Sequence, residues 1–236
     1  MATIIDDIKK EMDGLSAQQI LDISVRQFGD KIALASSFGA EDQVLTDMLW
    51  RSGKTVRIVT LDTGRLPQET YDVMEATRQK YQFDIEVFFP DAGQVEAMVR
   101  QDGPNLFYRS VENRKRCCQI RKVEPLKRAL SGMEAWLCGL RKEQSVTRQS
   151  LDVASWDGQF GLFKICPLAE WTTEQVWDYI RSNGVPYHPL HDKGYPSVGC
   201  EPCTRAVQPG QDIRAGRWWW EQPEHKECGL HWNKPQ

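Results

Sequence analysis

The sequence lacks any apolar run close to the roughly 18 residues that a membrane-spanning helix needs. Its first residues, MATIIDDIKKEMDG, have no basic segment followed by an apolar core, so we expect no signal peptide. It also lacks a strong charge of either sign, since 30 basic and 33 acidic residues give a net charge of −3. These absences argue against a membrane protein and against a chain that binds long nucleic acids, and they predict a cytoplasmic protein.

The chain of 236 residues does contain seven cysteines, and seven is an odd number. In the cytoplasm, thiols are more often metal ligands, redox groups or buried residues than members of structural disulfides. A hydrophobic content of 40% is sufficient for a core, and the length suits one large domain with an extension. The cysteines are therefore the first candidates for chemistry.

Strand and helix patterns alternate over the first two thirds of the chain. Ser16 is placed to cap a helical pattern that stops at Gly29, and residues 31–37, KIALASS, have the composition of a buried strand. TVRIVTLDTG, FDIEVFFP and MEAWLCGL also have strand composition. This alternation predicts an α/β fold with a mostly parallel sheet and helices on both faces. We expect an α/β domain over 1–184 and an irregular C-terminal segment over 185–236.

Two polar turns that follow predicted strands are candidates for binding an anion. In ALASSFGAED, a strand runs into a turn of small residues and then a helix, which directs N–H groups and the helix dipole at an anion. In LDTGRLPQET, the aspartate stands at the carboxyl end of a strand, where ligand contacts collect. Each pattern alone also fits an ordinary turn or an Asx turn. The candidate residues are Ser36, Ser37, Phe38, Gly39, Asp42, Leu61, Asp62, Thr63 and Gly64.

Four of the cysteines form two close pairs. Cys117 and Cys118 lie in RKRCCQIRK, and Cys200 and Cys203 form the CxxC of GCEPC. Adjacent cysteines suit a tetrahedral zinc ion poorly, because neighbouring side chains leave a helix about 100° apart and reach a large centre more easily. An iron–sulfur cluster is therefore favoured over zinc, while unrelated cysteines or a disulfide remain open. The basic neighbours would balance the negative charge of four thiolates.

Basic residues near predicted strand ends and beside the cysteines are further candidates. Lys122 follows the second adjacent cysteine by four positions, so on a helix it would point from the same side. Arg141 and Arg148 belong to the polar loop GLRKEQSVTR and are suited to grip an anion. Cys138 and Cys166, in contrast, lie in apolar strand-like segments and are expected to be buried core thiols.

The C-terminal stretch IRAGRWWWEQPEHKECGLH holds another group of candidates. Cys228, with His231 nearby, is a potential nucleophile if positive charge lowers its pKa, although an inert thiol fits an isolated cysteine as well. Arg214 and Arg217 are three positions apart, a spacing at which two guanidinium groups could bind one sulfate or phosphate.

Together and in this order, the motifs resemble the assimilatory sulfonucleotide reductases, and specifically the iron–sulfur adenylyl-sulfate (APS) reductases. The matching stretches are SSFGAED, LDTGRLPQET, KRCCQIRKVEPL, GLRKEQSVTR, GCEPCTR, GRWWWE and KECGLH. The related phosphoadenylyl-sulfate (PAPS) reductases keep the terminal ECG but typically lack the four paired cysteines, which favours APS as the substrate. The resemblance implies a PP-loop ATPase-like fold of the adenine nucleotide alpha hydrolase type, although SSFGAED departs from the SGGxDS of ATP-using relatives.

The resemblance also implies a reaction. Cys228 would attack the sulfur of APS, expel AMP and carry a cysteine S-sulfonate, from which a thioredoxin or glutaredoxin thiol would release sulfite. Lys122 would contact the sulfate end of the substrate, and His231 would sit beside the reacting thiol. A 4Fe–4S cluster that orders the site, rather than carrying electrons, would be held by Cys117, Cys118, Cys200 and Cys203.

The remaining candidates would then bind the substrate. The turn 36–42 and the stretch 61–64 would hold the nucleotide. Phosphate and sulfate oxygens would meet Arg141, Arg148, Arg214 and Arg217. We also expect a homo-oligomer.

Three alternatives remain open from the sequence. The first is a reductase that prefers PAPS, which needs additional cations for the 3′-phosphate. The second is an ATP-using PP-loop enzyme, such as a sulfate adenylyltransferase subunit, which the missing SGGxDS and the ECGLH disfavour. The third, from a different class, is a zinc-stabilised nucleic-acid-binding module built on the basic run 114–128, which the overall acidity disfavours.

Overall fold

The computed structural model describes residues 2–145, 148–222, 226–227 and 229–231. The chain divides into two compact units, and each unit is built from three separate stretches of sequence. The first unit comprises Met1–Thr60, Glu69–Glu86 and Leu130–Pro189, and the second comprises Leu61–Gln68, Val87–Ala129 and Leu190–Gln236.

Within the described residues, six strands form one sheet. The strands are β1 (Ile32–Ala35), β2 (Arg57–Leu61), β3 (Ile85–Phe88), β4 (Ala135–Leu137), β5 (Ala154–Asp157) and β6 (Leu162–Ile165). Their order is β3-β2-β1-β4-β6-β5. Strand β1 is parallel to β2 and β4, β4 is parallel to β6, and β5 runs antiparallel to β6. The predicted α/β class with a mostly parallel sheet is confirmed.

Several of the described α-helices begin or end at residues that cap or stop helices. Ser16 accepts a hydrogen bond from the N–H of Gln19 in a capping box, and the side chain of Asp91 accepts the N–H of Gln94 at the start of its own helix. The helix that starts after Thr172 stops at Gly184, which adopts the left-handed conformation that glycine favours. The helices are α1 (Ala2–Met12), α2 (Ala17–Phe28), α3 (Ala40–Arg51), α4 (Gln68–Tyr81), α5 (Ala92–Asp102), α6 (Val111–Cys118), α7 (Glu124–Ala129) and α8 (Thr173–Asn183).

The core of the first unit forms where apolar residues of the sheet meet the apolar sides of helices. Leu34 of β1 and Leu137 of β4 are paired in register and are fully buried, as are Leu45 and Leu49 of α3. Central strands of a parallel sheet are covered on both faces, which explains why they read as continuous apolar runs rather than alternating ones. None of the helices in the described part of the chain is both long and apolar enough to span a bilayer.

The second unit contains a helical run that is not a regular α-helix throughout. Helix α6 ends at Cys118, the residues Gln119–Val123 form a π-helix, and α7 continues from Glu124. Short π-segments are rare in helices, and those that do occur often lie at functional sites. In the described part of 185–236, the regular structure consists of 3₁₀ turns and one isolated bridge, as expected for an irregular segment.

Candidate active site

The order of strands creates a crevice at the carboxyl ends of β1 and β4. Strand β2 follows β1 in the chain and lies on one side of it, whereas β4 lies on the other side. In open parallel sheets, ligands bind at such a point, where the strand order reverses. The turn Ser36–Gly39 leaves β1 and the loop that starts at Cys138 leaves β4, so sequence elements from both strands line this crevice.

Asp42 ties these two loops together. One of its carboxylate oxygens accepts hydrogen bonds from the backbone N–H and the hydroxyl of Ser37, both at 2.7 Å. The other accepts the backbone N–H of Gly139 at 3.1 Å. Asp42 lies in the first turn of α3, where an acceptor also suits the helix dipole. The structure therefore gives Asp42 the geometry of a residue that shapes the turn.

Phe38, within the same turn, has a backbone conformation that is unusual for its residue type. Its φ is +58°, in the left-handed region that residues other than glycine seldom adopt, and its side chain is buried in the core. Such backbone conformations cost free energy and persist where the surroundings impose them, often at functional turns. Its N–H donates to the Ser36 hydroxyl at 3.2 Å, which further defines the turn.

The close approach of β4 to α3 requires a glycine at position 139, and we expect Gly139→Ala to lower stability. An added Cβ atom would lie 2.5 Å from a carboxylate oxygen of Asp42 and 2.9 Å from its backbone nitrogen. Overpacking of this kind costs about 1–3 kcal/mol. Thermal unfolding measures the loss. The matched control is Gly158→Ala, where a Cβ meets nothing within 4 Å, and equal melting temperatures for both variants would contradict the prediction.

The burial of the Asp42 carboxyl group predicts that the free energy of unfolding depends on pH. Its complete burial outweighs its hydrogen bonds and raises its pKa from 3.8 to about 6. Because the folded pKa is the higher one, this group contributes stability below pH 3.8 that is lost as the pH rises to about 6. The free energy of unfolding of the wild type, measured relative to Asp42→Asn, should therefore fall across that interval. A difference that stays constant with pH would show that burial does not shift this carboxyl group.

Arg141 is buried and its guanidinium is surrounded by acceptors. It donates to Glu41 at 2.8 Å and to Glu143 at 3.0 Å. Two further donations go to the carbonyl of Trp171 at 3.1 Å and to the hydroxyl of Thr173 at 3.3 Å. These contacts join the first turn of α3, the loop after β4 and the start of α8.

Arg148, in the same unit, is also buried and donates to the side-chain oxygen of Gln144. In this structure both arginines of GLRKEQSVTR therefore make internal contacts. Whether they also contact a substrate stays a prediction.

The stretch that follows β2 forms an Asx turn in the second unit. Asp62 accepts the N–H of Gly64 at 2.7 Å, and Gly64 has a φ of +69°. The hydroxyl of Thr63 lies 3.2 Å from the sulfur of Cys200, and its carbonyl accepts a hydrogen bond from Arg121 at 2.6 Å. Leu61 is the last residue of β2. The turn therefore connects directly to one of the paired cysteines.

The two cysteine pairs, which are more than 80 positions apart in the sequence, line one cavity. Cys117, Cys118, Cys200 and Cys203 all face it, and all four are buried. Burial raises the pKa of Cys117, and it raises the pKa of Cys203 to about 12. Thiols in such surroundings become thiolates only if a cation or a metal compensates them.

Cationic side chains line the same cavity. They are Arg65, Arg114, Arg121, Lys122 and Arg217. Within the described residues, the Nε–H groups of Arg121 and Arg217 and the indole N–H of Trp218 are buried and lack an acceptor. Buried donors without acceptors are costly. The donor set is therefore suited to an anionic group.

Arg214 and Arg217 do not occupy equivalent places. Arg214 donates to the carbonyl of Lys226 at 2.7 Å and to the carboxylate of Glu227 at 3.2 Å. Arg217 donates to the hydroxyl of Ser197 at 3.3 Å and to the carbonyl of Val198 at 3.1 Å. Arg217 lines the cysteine cavity, whereas Arg214 contacts the tail that leads to position 228.

Two of the predicted catalytic groups, Cys228 and the side chain of His231, lie outside the described residues. The residues on either side of position 228 are described. Glu227 is held by arginines, and Gly229 lies where an added Cβ would be 3.4 Å from Val123 and 3.9 Å from the Cβ of Cys118. The chain on both sides of position 228 is therefore held within the second unit.

Sequence reasoning did not select Arg65, Arg114 or Arg121, although the structure places all three on the cavity. For Arg121 a signal was present, because it follows Cys117 by four positions on the same helical run. For Arg114 the basic run beside the paired cysteines was also a signal, whereas for Arg65 there was none, since a basic residue in a turn is usually a solvated one.

The sheet is mostly parallel and its strand order reverses next to turns suited to anions, which defines an α/β protein with a ligand crevice at the carboxyl ends of its strands. Residues 31–206 match the phosphoadenosine phosphosulfate reductase domain. This match covers most of the chain, and the chain therefore belongs to the phosphoadenosine phosphosulfate reductase family.

Individual relatives agree with this family. An adenosine 5′-phosphosulfate reductase from Allochromatium vinosum is 54% identical over 86% of this chain and 79% of its own length. The crystal structure of a phosphoadenylyl-sulfate reductase from Candida auris, a phosphate complex, matches with a TM-score of 0.73 at 31% identity, over 86% of this chain and 96% of that one.

A more distant similarity bears on the fold alone. The FMN adenylyltransferase of Candida glabrata, solved with FAD and inorganic pyrophosphate, has a TM-score of 0.58 at 16% identity, over 98% of this chain and 79% of that one. This similarity shows that the two chains share a fold. The predicted α/β fold agrees with this neighbour.

Proposed function

We propose that this protein reduces adenosine 5′-phosphosulfate to sulfite and AMP in sulfate assimilation, with thiols as the source of electrons. The family match and the higher identity to the reductase of Allochromatium vinosum, 54% against 31% for the PAPS reductase structure, support APS as the substrate. The structural observation that carries the proposal is that four cysteines meet in one cavity lined by cations.

We propose a 4Fe–4S cluster at Cys117, Cys118, Cys200 and Cys203. A single zinc ion requires its ligands to converge on one point. In the described part of the chain, no three His, Cys, Asp or Glu side chains are arranged to hold one metal ion, although the four thiols line a common cavity. Four thiols around one cavity are the ligand set of an iron–sulfur cluster, and the buried donors of Arg121, Arg217 and Trp218 suit a negatively charged group. When bound, the cluster would supply charge and rigidity to the site.

In the proposed reaction, the thiolate of Cys228 attacks the sulfur of APS. The bond between sulfur and the phosphate oxygen breaks, and AMP leaves with the electron pair. Since AMP is a good leaving group, no strong general acid is required. A thiol of thioredoxin or glutaredoxin then attacks the Cys228 sulfur, sulfite departs, and the mixed disulfide is resolved by the second thiol of the reductant. The two electrons that reduce sulfate thus come from the reductant thiols.

The charged residues of the cavity have a defined role in this scheme. A thiolate and a sulfate group repel each other, so attack requires that the charge of the sulfate be neutralised. Lys122 and Arg217 line the cavity and are proposed to do this, and His231 is proposed to sit beside the reacting thiol. Arg214, Arg141 and Arg148 are proposed to contact phosphate or sulfate oxygens in addition to their internal partners.

The nucleotide is proposed to bind through backbone groups of two turns. The turn 36–42 places the start of α3 and its N–H groups next to the crevice between β1 and β4. The stretch 61–64 contributes an Asx turn with an exposed, left-handed glycine. Asp42 would act by shaping the first of these turns, since both of its oxygens accept internal hydrogen bonds.

Purified protein incubated with thioredoxin and a reducing system should release sulfite from APS far faster than from PAPS. A preference for PAPS would assign the chain to the other branch of the family, and no sulfite from either nucleotide would overturn the proposal. Because the reductant is a dithiol protein, we propose the cytoplasm as the place of the reaction. Homo-oligomerisation stays a prediction that size-exclusion chromatography with light scattering can test.

A further inference from the structure

A buried ion pair in the second unit has no role in the reaction described above. Arg114, in helix α6, and Glu221 are joined by two hydrogen bonds, Nε to Oε1 at 2.9 Å and Nη2 to Oε2 at 2.7 Å. The side chains of these two residues are only 1% and 2% exposed. A bidentate pair of this kind fixes both partners in direction as well as in distance.

The third donor of the Arg114 guanidinium connects this pair to the C-terminal tail. Nη1 donates to the backbone carbonyl of Glu227 at 2.9 Å. Arg214 adds bonds to the same short segment, at 2.7 Å to the carbonyl of Lys226 and at 3.2 Å to the carboxylate of Glu227. Two buried guanidinium groups thus hold consecutive residues of the tail, directly before position 228.

Trp218 provides the surface on which these arginines lie. The guanidinium carbons of Arg114, Arg214 and Arg217 are 4.8, 5.6 and 4.7 Å from its ring centroid. The indole is 1% exposed, so the arrangement is shielded from water, where cation–π contacts are strongest. These contacts hold Arg114 and Arg214 against one buried ring, and from there both donate to the tail.

The burial of a charged pair argues for a positioning role rather than for stability alone. Removing two charges from water is costly, and an apolar pair of similar volume is often at least as stable. What an apolar pair does not provide is a directed, charge-assisted bond to a backbone carbonyl. Beyond position 228, the turn Gly229–His231 packs on the π-helix that carries Lys122.

We infer that Arg114 and Glu221 are positioning residues that hold the tail backbone at Lys226 and Glu227, and thereby set the place from which Cys228 reacts. This inference rests on the proposed function, because it takes Cys228 as the nucleophile. It adds two residues to which the proposed reaction gave no role, although Arg114 also lines the cysteine cavity. Arg114 acts through the backbone of Glu227, and Glu221 acts by orienting Arg114.

The test is the rate at which iodoacetamide alkylates Cys228 in the full-length protein purified without oxygen, followed residue by residue by mass spectrometry. The variant is Arg114→Gln combined with Glu221→Gln, which removes both charges together and leaves neither unpaired. The matched control is Arg116→Gln with Asp102→Asn, a half-exposed ion pair that starts from the same helix. Buried Cys138 and Cys166 serve as internal reporters of unfolding.

We expect alkylation of Cys228 to become about tenfold faster in the Arg114/Glu221 variant, a change that corresponds to about 1.4 kcal/mol. The control pair should leave the rate unchanged. In turnover with APS, kcat should fall by about the same factor while KM stays within about twofold, since the binding residues are intact. An alkylation rate equal to that of the wild type, with Cys138 and Cys166 still protected, would overturn the inference.

If the double variant does not fold, as rapid alkylation of Cys138 and Cys166 would reveal, Arg114→Lys decides the question. Lysine keeps the charge but lacks the planar guanidinium group that donates hydrogen bonds to Glu221 and Glu227 at the same time. Faster alkylation of Cys228 in a folded Arg114→Lys protein supports the inference, and an unchanged rate or loss of folding overturns it. The alkylation readout needs no substrate, so a failure of the proposed function, in which Cys228→Ser keeps its activity, is seen separately.

Discussion

Replacing Cys228 by serine is expected to abolish the release of sulfite from APS, to below about one thousandth of the wild-type rate, as for the loss of a covalent nucleophile. The reason is the electron balance of the reaction. Sulfate sulfur is reduced by two electrons. The sulfonate group first moves from APS to the thiol of Cys228, and a thiol of the reductant then attacks the Cys228 sulfur and displaces sulfite. A serine hydroxyl is a poor nucleophile and forms no disulfide, so neither step has a substitute. Sulfite release and trapping of radiolabelled S-sulfonate on the protein measure the two steps.

The control for this variant is Cys138→Ala, which removes a buried thiol of the sheet, 3.4 Å from Cys166, outside the cysteine cavity. It should keep most of the activity and lose only some stability. The visible spectrum of Cys228→Ser should equal that of the wild type, because Cys228 is not a proposed cluster ligand. Sulfite release that survives the serine substitution would remove Cys228 from the mechanism.

Replacing Cys200 by alanine is expected to remove colour, iron and activity together. The wild type, purified without oxygen, should be brown with a broad band near ~400 nm, as for iron–sulfur thiolate sites. Cys200 lines the cavity and lies 3.2 Å from the hydroxyl of Thr63, so its loss also frees the turn 61–64 that is proposed to hold the nucleotide. Iron analysis, absorbance and sulfite release on one preparation measure the three effects.

The same Cys138→Ala protein controls for the removal of a buried thiol, and it should keep both its iron and its colour. Full turnover by an iron-free Cys200→Ala protein would make the cluster irrelevant to catalysis. A colourless wild type that contains zinc instead of iron would restore the zinc alternative. It would also reopen the choice between APS and PAPS, which rests partly on the four cysteines.

Local signals in the sequence were sufficient for most of the fold. Ser16 caps its helix where predicted, because a cap depends on residues within one turn of each other. The edge strand β5 and helix α1 had no comparable signal. Strand β5 is four residues long, and it is defined mainly by its pairing with β6, a contact that a short window of sequence does not contain.

For the site, the sequence indicated which residue types matter but not how their hydrogen bonds are used. Arg141 and Arg214 looked alike as cations near loops. In the structure, Arg141 is paired with two glutamates, and Arg214 holds the backbone of Lys226. Glu41 is 100 positions away from Arg141, and the acceptor on Lys226 belongs to the backbone, so no motif could have revealed these two contacts. The Asx turn at Asp62, by contrast, joins residues two positions apart and was one of the readings left open.

The sequence by itself determined the class of fold, the capped start of helix α2, the family and the identity of the paired cysteines, because these depend on neighbouring residues and on motifs in a fixed order. The tertiary structure alone decided that Cys117 and Cys203 face one cavity, that Gly139 must be a glycine, and that Arg114 reaches the tail. These facts depend on which distant segments fold against each other. This packing also buries some charged side chains, and a buried charge needs a partner. Burial therefore distinguishes an arginine that positions the tail from a solvated one.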